Sequence, residues 1–167
     1  MNDRWAVDPA AQETTWSEAE NMDTPKIIEK LNEILRHEWT GVAQYAQAGF
    51  VISGVWRQVY ADLFFDGAKE SFDHARHIGG KIAALGGVPS VERNPIRQSQ
   101  DLQEMLQFSL EFEKKAVDLY TEALNMCEDD RALQVFLENI LEEEQQGVDD
   151  LTRFYSARGW KRRKPEA

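Results

Sequence analysis

A chain of 167 residues suits one domain with one sizeable core. Its net charge of -11 and pI near 4.7 argue against a general nucleic-acid binder, whose domain is normally basic; they fit an acidic surface, or acids gathered around a cation. A single cysteine, Cys127, excludes a disulfide framework and a thiolate zinc site.

The opening "MNDRWAVDPAAQETT" has neither a basic start nor an apolar run, so it does not read as a secretory signal. No apolar stretch approaches the ~20 residues of a membrane span. No membrane association is expected, and a cytoplasmic location follows as the default. Residues 1–23, polar, acidic and carrying Trp5 and Trp16, read as an extension outside the core. Thr24-Pro25 is a helix start, with Thr as the N-cap and Pro at the first helical position. Ile28, Leu31, Leu35, Val42 and Tyr45 then recur every three or four residues to about Ser53, the pattern of an amphipathic helix. Gly54 marks a stop.

A second helix is expected over roughly Val55 to Leu85, with the stripe Phe64, Ala68, Ala75, Ile78, Ile82 and Leu85. Gly86-Gly87 and Pro89 end it. A loop without periodicity follows. The third helix starts near Ser99 or Asp101, runs to about Cys127, and carries Leu102, Leu106, Ser109, Ala116, Tyr120 and Leu124 on one side. After a short "EDD" link, the fourth spans about Arg131 to Ala157 with Leu133, Leu137, Ile140, Val148, Leu151 and Tyr155; Gly159 ends it. No segment has a period-two strand pattern. The expectation is an all-α, antiparallel four-helix bundle over 24–159 with a long second connection, then a basic tail over 160–167.

What interrupts the stripes carries the chemistry. The series 28, 31, 35, 38, 42, 45 places Glu38 on the buried face; 64, 68, 71, 75, 78 places Ser71 there with His74 beside it; 102, 106, 109, 113, 116, 120 places Glu113; and 133, 137, 140, 144, 148, 151 places Glu144. One glutamate on an apolar stripe is usually a helix-edge residue whose tip reaches water. Four polar interruptions, one near the middle of each helix, make that explanation weaker. Three carboxylates and an imidazole without a Lys or Arg on the same stripes call for a cation. Oxygen ligands with histidine suit iron, manganese or zinc, and disfavour a hard oxygen-only ion such as calcium.

At these residues the chain resembles the ferritin-like superfamily, bacterioferritins in particular. "LNEILRHEWTGVAQY" (31–45) is similar to their first helix, "HARHIGGKIAALGGVPS" (74–90) to the end of the second, "LEFEKKAVDLYTEAL" (110–124) to the third and "ILEEEQQGVDDL" (140–151) to the fourth. The resemblance implies Glu38 and Glu113 as terminal metal ligands, His74 as the ligand histidine, Glu144 as a bridging ligand and Tyr45 as an accessory tyrosine. The family's di-iron site takes one Glu from each of two helices and a Glu-x-x-His pair from each of the others. This chain departs from it twice: the Glu of the second-helix pair falls on Ser71 and the His of the fourth-helix pair on Gly147.

Glu70 is a candidate substitute, since it lies four residues before His74, but it is rotated ~100° from Ser71. His77, Gln145 and Gln146 read as surface residues. The haem-ligating methionine of bacterioferritins falls on Phe72, so haem binding by that route is not supported. The chain ends in "SARGWKRRKPEA", which implies that the family's fifth helix is missing or reduced and that the assembly is a dimer or a 12- or 24-subunit shell. The "KRRK" cluster at 161–164 is a weak signal against a net charge of -11, and DNA binding by this tail is not expected. The resemblance implies iron binding, one or two ions per subunit, with Fe(II) oxidation and iron storage or detoxification through a degenerate site. The alternative is a non-catalytic metal-binding or assembly protein of the same fold.

Overall fold

The computed structural model describes residues 23–156. The N-terminal extension with Trp5 and Trp16, the 161–164 basic cluster and the stop at Gly159 lie outside the described residues, as does the Tyr155 side chain. Four helices, α1 (Thr24–Val51), α2 (Arg57–Ala84), α3 (Leu102–Asn125) and α4 (Arg131–Ser156), form the bundle, and no strand occurs among the described residues.

Each helix end has a local cause. The cap of α1 is Asp23 rather than Thr24: its carboxylate accepts the Lys26 N–H at 3.3 Å, while Thr24 is already helical. Both residue types cap well, and the shift keeps Pro25 in the first turn, where its missing N–H costs nothing. At the other end of α1, Arg57 donates to the carbonyls of Gly49 and Ile52 at 3.2 and 2.6 Å, collecting acceptors that the helix leaves open. Gly54, at φ 82°, turns the chain into α2. Helix α2 closes on a Schellman pair, Gly86 N–H to Ala83 and Gly87 N–H to Ile82, with Gly86 at φ 82° in the left-handed conformation that glycine favours. Asp101 caps α3 through the Glu104 N–H at 3.0 Å, and Asp130 accepts from the Leu133 N–H at the head of α4.

The long connection between α2 and α3 is tied to α1 by polar rungs. Ser90 N–H donates to Asn32, Trp39 Nε1 to the Ser90 carbonyl, Asn94 N–H to Thr40 Oγ1 and Arg97 N–H to Gln44 Oε1. The partners advance along α1 as the connection advances, so it runs beside that helix and carries the chain back along the bundle. This accounts for two buried polar residues on α1, Thr40 and Gln44.

The interior has two apolar cores. One is aliphatic, built on Ile27, Leu31, Ile34, Ile78, Ile82, Leu119, Leu133 and Leu137. The other is richer in aromatics, with Tyr45, Tyr60, Phe64, Met105, Phe112 and Leu151. Between them, in every helix, sits a polar layer that includes Glu38, Ser71, His74, Ser109 and Glu144. Burial of each large apolar side chain is worth about 1.5–3 kcal/mol. The flanking cores therefore supply the stability that a desolvated carboxylate layer takes away.

Candidate metal centre

Glu38 is fully buried, and its two oxygens have different surroundings. Oε1 accepts the Tyr120 hydroxyl at 2.9 Å, while Oε2 is a buried oxygen with no hydrogen-bond partner. His74 faces it: Nδ1 lies 3.9 Å from Glu38 Oε2 and 2.7 Å from Glu144 Oε1. One ligand atom from each of Glu38, His74 and Glu144 falls within 4.8 Å of the other two, and all three residues are buried. Such a triangle has the reach and the donor set of a divalent cation site. The partnerless Oε2 is the sign that protein atoms alone leave it incomplete.

Electrostatics agree. Burial and the neighbouring Glu144 push the Glu38 carboxyl well above the usual carboxylate range. Burial alone would lower His74, but hydrogen bonding to Glu144, the Glu38 charge and the bond to Glu143 raise it to about 10. Without a cation the centre therefore holds protons.

The neighbouring position is built differently. Glu113 is half-buried and accepts the Tyr45 hydroxyl on Oε1. Its carboxyl is pushed well up by burial and by Glu144. A methyl added at Gly147 would stand 3.1 Å from Glu113 Oε2, so the carboxylate already leans over the glycine, where a larger side chain would start. Ser71 is buried, and its hydroxyl packs towards Gly41, where any added Cβ would collide with it and with Phe112. Neither Ser71 nor Gly147 presents a charged donor here. Glu113 is outside the buried triangle and belongs to neither group of ligand atoms with mutual reach.

Of the flanking residues, Glu70 is exposed, and its carboxylate lies within 4.8 Å of ligand atoms of His74 and Glu143. His77, Gln145 and Gln146 are also exposed, and Gln145 bonds to Asp149 on the surface. Phe72 is 47% exposed and lies against Trp39. Three polar residues escaped the periodicity argument. Tyr120 stood on the stripe as an apolar residue, and its hydroxyl role needed the partner helix. His37 is buried and stacked on Phe112 at 4.0 Å, with Nε2 on the Phe112 carbonyl; burial pushes its pKa down, and it stands apart from the triangle. Glu143, exposed and one residue before Glu144, bonds to His74 Nε2 at 2.9 Å.

The ferritin-like domain model matches residues 28–156. The chain belongs to the ferritin-like family. This ferritin-like chain is 31% identical to a bacterioferritin of Rhodobacter capsulatus over 130 residues, 75% of this chain and 80% of the relative. It also superposes on solved structures. A ferritin-like, diiron-carboxylate protein from Bacillus anthracis str. Ames gives a TM-score of 0.77 at 27% identity, covering 80% of this chain and 97% of that one. A dodecameric thioferritin, the bacterioferritin-related protein from Bacteroides fragilis, gives 0.75 at 25% identity, covering 81% and 88%. No helix among the described residues of this ferritin-like chain is long and apolar enough to cross a membrane.

Proposed function

We propose that this ferritin-like chain takes up Fe(II) at Glu38, His74 and Glu144 and works as an iron-oxidising and iron-storing or detoxifying protein in a homo-oligomer. The observation that carries this reading is the buried, partnerless Oε2 of Glu38 at the corner of the triangle. A bundle with no use for a cation packs more cheaply with an apolar residue there. In this reading iron is the substrate, and each Fe(II) oxidised gives one electron to oxygen or peroxide. Glu38 presents Oε2, because Tyr120 engages its other oxygen. His74 presents Nδ1, and Glu144 is close enough to both Glu38 and Glu113 to push up both of their carboxyls. The relatives support the choice of iron and of an assembled state. Manganese and zinc fit the same donor set.

The second position supports a qualification. Two-metal chemistry needs ions held about 3.5–4 Å apart by shared ligands. With Ser71 and Gly147 in place and Glu113 tied to Tyr45, the expected occupancy is one tightly held ion per subunit, and oxidation is slower than at a complete pair. The same observation favours a second reading, in which the centre binds one metal without turnover and the protein acts through assembly.

One experiment separates the two. Metal-free protein is loaded with Fe(II) in air, followed by absorbance, with metal content per subunit measured afterwards. One iron per subunit and steady oxidation beyond it support the proposal. One iron without further turnover supports the non-catalytic reading. No iron removes the proposal, and no metal of any kind removes both.

A further inference from the structure

Phe112, one residue before Glu113 on α3, is buried. It lies in a slot along α1 made by three residues at i, i+4 spacing, His37, Gly41 and Tyr45. The ring stacks on His37 at 4.0 Å between centroids and meets the Tyr45 ring edge-on at 5.7 Å. His37 Nε2–H donates to the Phe112 carbonyl at 3.1 Å, so one histidine holds both the ring and its backbone. Between His37 and Tyr45, α1 offers only Gly41: a Cβ there would stand 2.4 Å from Phe112 Cζ and 2.4 Å from Ser71 Oγ. Glycine inside a helix costs stability relative to alanine. Here it lets an aromatic ring from α3 and a hydroxyl from α2 come together against bare α1 backbone.

We infer that Phe112 is a specificity-determining residue of the centre: its ring takes the space that a longer acid at position 71 would need, and so limits the centre to one ion. The inference rests on the reading of Glu38, His74 and Glu144 as a metal site. Ser71 ends at the oxygen that shares the Gly41 space with the ring. A glutamate in the same rotamer continues past that atom into the ring. A close-packed interior has no spare volume for it, and forcing it in costs stability. A buried phenylalanine ordinarily needs no special reason. This one differs because the residues around its tip on two helices are small, a glycine and a serine, and the serine stands where the family's second-helix pair carries its Glu. The same anchor fixes Glu113, the next residue, whose carboxylate stays on the Tyr45 hydroxyl and over Gly147.

The test uses the full chain, freed of metal and titrated calorimetrically with zinc. Ser71→Glu with Gly147→His supplies the two missing side chains and is expected to bind a second ion weakly. Adding Phe112→Leu is expected to tighten that second ion about 5–100-fold, the gain from relieving an overpacked side chain. Adding Phe64→Leu instead, in the same aromatic core but two turns earlier than Ser71 on α2, is expected to leave it unchanged. Phe112→Leu alone is expected to keep one ion at the parent's affinity, because positions 71 and 147 still hold no ligand. Circular dichroism checks that each variant folds, and Phe112→Met, which fills more of the volume, carries the test should the leucine variant not. The inference is overturned if adding Phe112→Leu brings no tighter second ion, if Phe64→Leu tightens it as much, or if Phe112→Leu alone loses the first ion. Glu38→Gln is expected to lose the first ion in every background. If it does not, the metal site itself is misplaced, and the role of Phe112 falls with it.

Discussion

Two positions lie side by side in the polar layer, and they differ in what is left unsatisfied. At the first, Glu38, His74 and Glu144 converge from three helices, and one buried oxygen has no partner. At the second, Glu113 has found one: its carboxylate rests on the Tyr45 hydroxyl and leans over Gly147. The contrast is between an acid that another side chain has satisfied and one that none has reached. Beside Gly147 the Glu113 carboxylate occupies the space a larger side chain would need, whereas nothing comparable covers the second oxygen of Glu38.

The sharpest way to break that contrast is at Glu38. Glu38→Leu should cost more metal affinity than the 10–100-fold of a supporting residue. It should also make the metal-free protein more stable by about 1–4 kcal/mol, because an apolar side chain replaces a desolvated acid. Competition titration and thermal melts read both. The next largest effect is to level the two positions: Ser71→Glu with Gly147→His should raise occupancy from one ion to two, measured as metal per subunit. Glu113 must then move off Gly147, which a carboxylate at the end of a flexible chain does readily.

Smaller effects sharpen the comparison. His74 has a folded pKa of about 10, raised from the ordinary 6.5 by its acid neighbours against the effect of burial. A metal at Nδ1 displaces a proton, so affinity should rise with pH between about 6.5 and 9, by up to about tenfold per unit. The sign for folding is opposite. In metal-free protein the charged ring contributes stability that is fully present below 6.5 and fades as pH rises towards 10. Titrations and melts across that window test the two signs together. The smallest effect separates the tyrosines. Tyr120→Phe should weaken binding at the first position several-fold, while Tyr45→Phe should leave it unchanged and cost about 1–3 kcal/mol of stability through the unpaired Glu113 oxygen.

Much of the fold was legible in the residues because helix periodicity is local. Leu31, Leu35, Phe64, Ile78, Leu106 and Leu137 repeat at the spacing that buries them, and all are buried. The polar interruptions at 38, 71, 74 and 144 were legible for the same reason: each breaks a pattern that its own helix sets. What was not legible depends on a partner helix. Thr40 and Gln44 are buried because a connection more than fifty residues away leans its backbone N–H groups on them. Glu143 is exposed by its helix phase and becomes part of the centre only because α2 brings His74 alongside. The cap at Asp23 was a near miss between two good cap residues one position apart.

The partnerless oxygen of Glu38 has a consequence for anyone engineering this chain. At the proposed site metal binding would be linked to folding, so a cation that fills the triangle should raise the melting temperature with its concentration. A thermostability screen run on metal-stripped protein would select against that oxygen and return variants that melt later and bind nothing. The same screen run with metal present would protect it. The solution in which variants are compared therefore decides which protein is evolved.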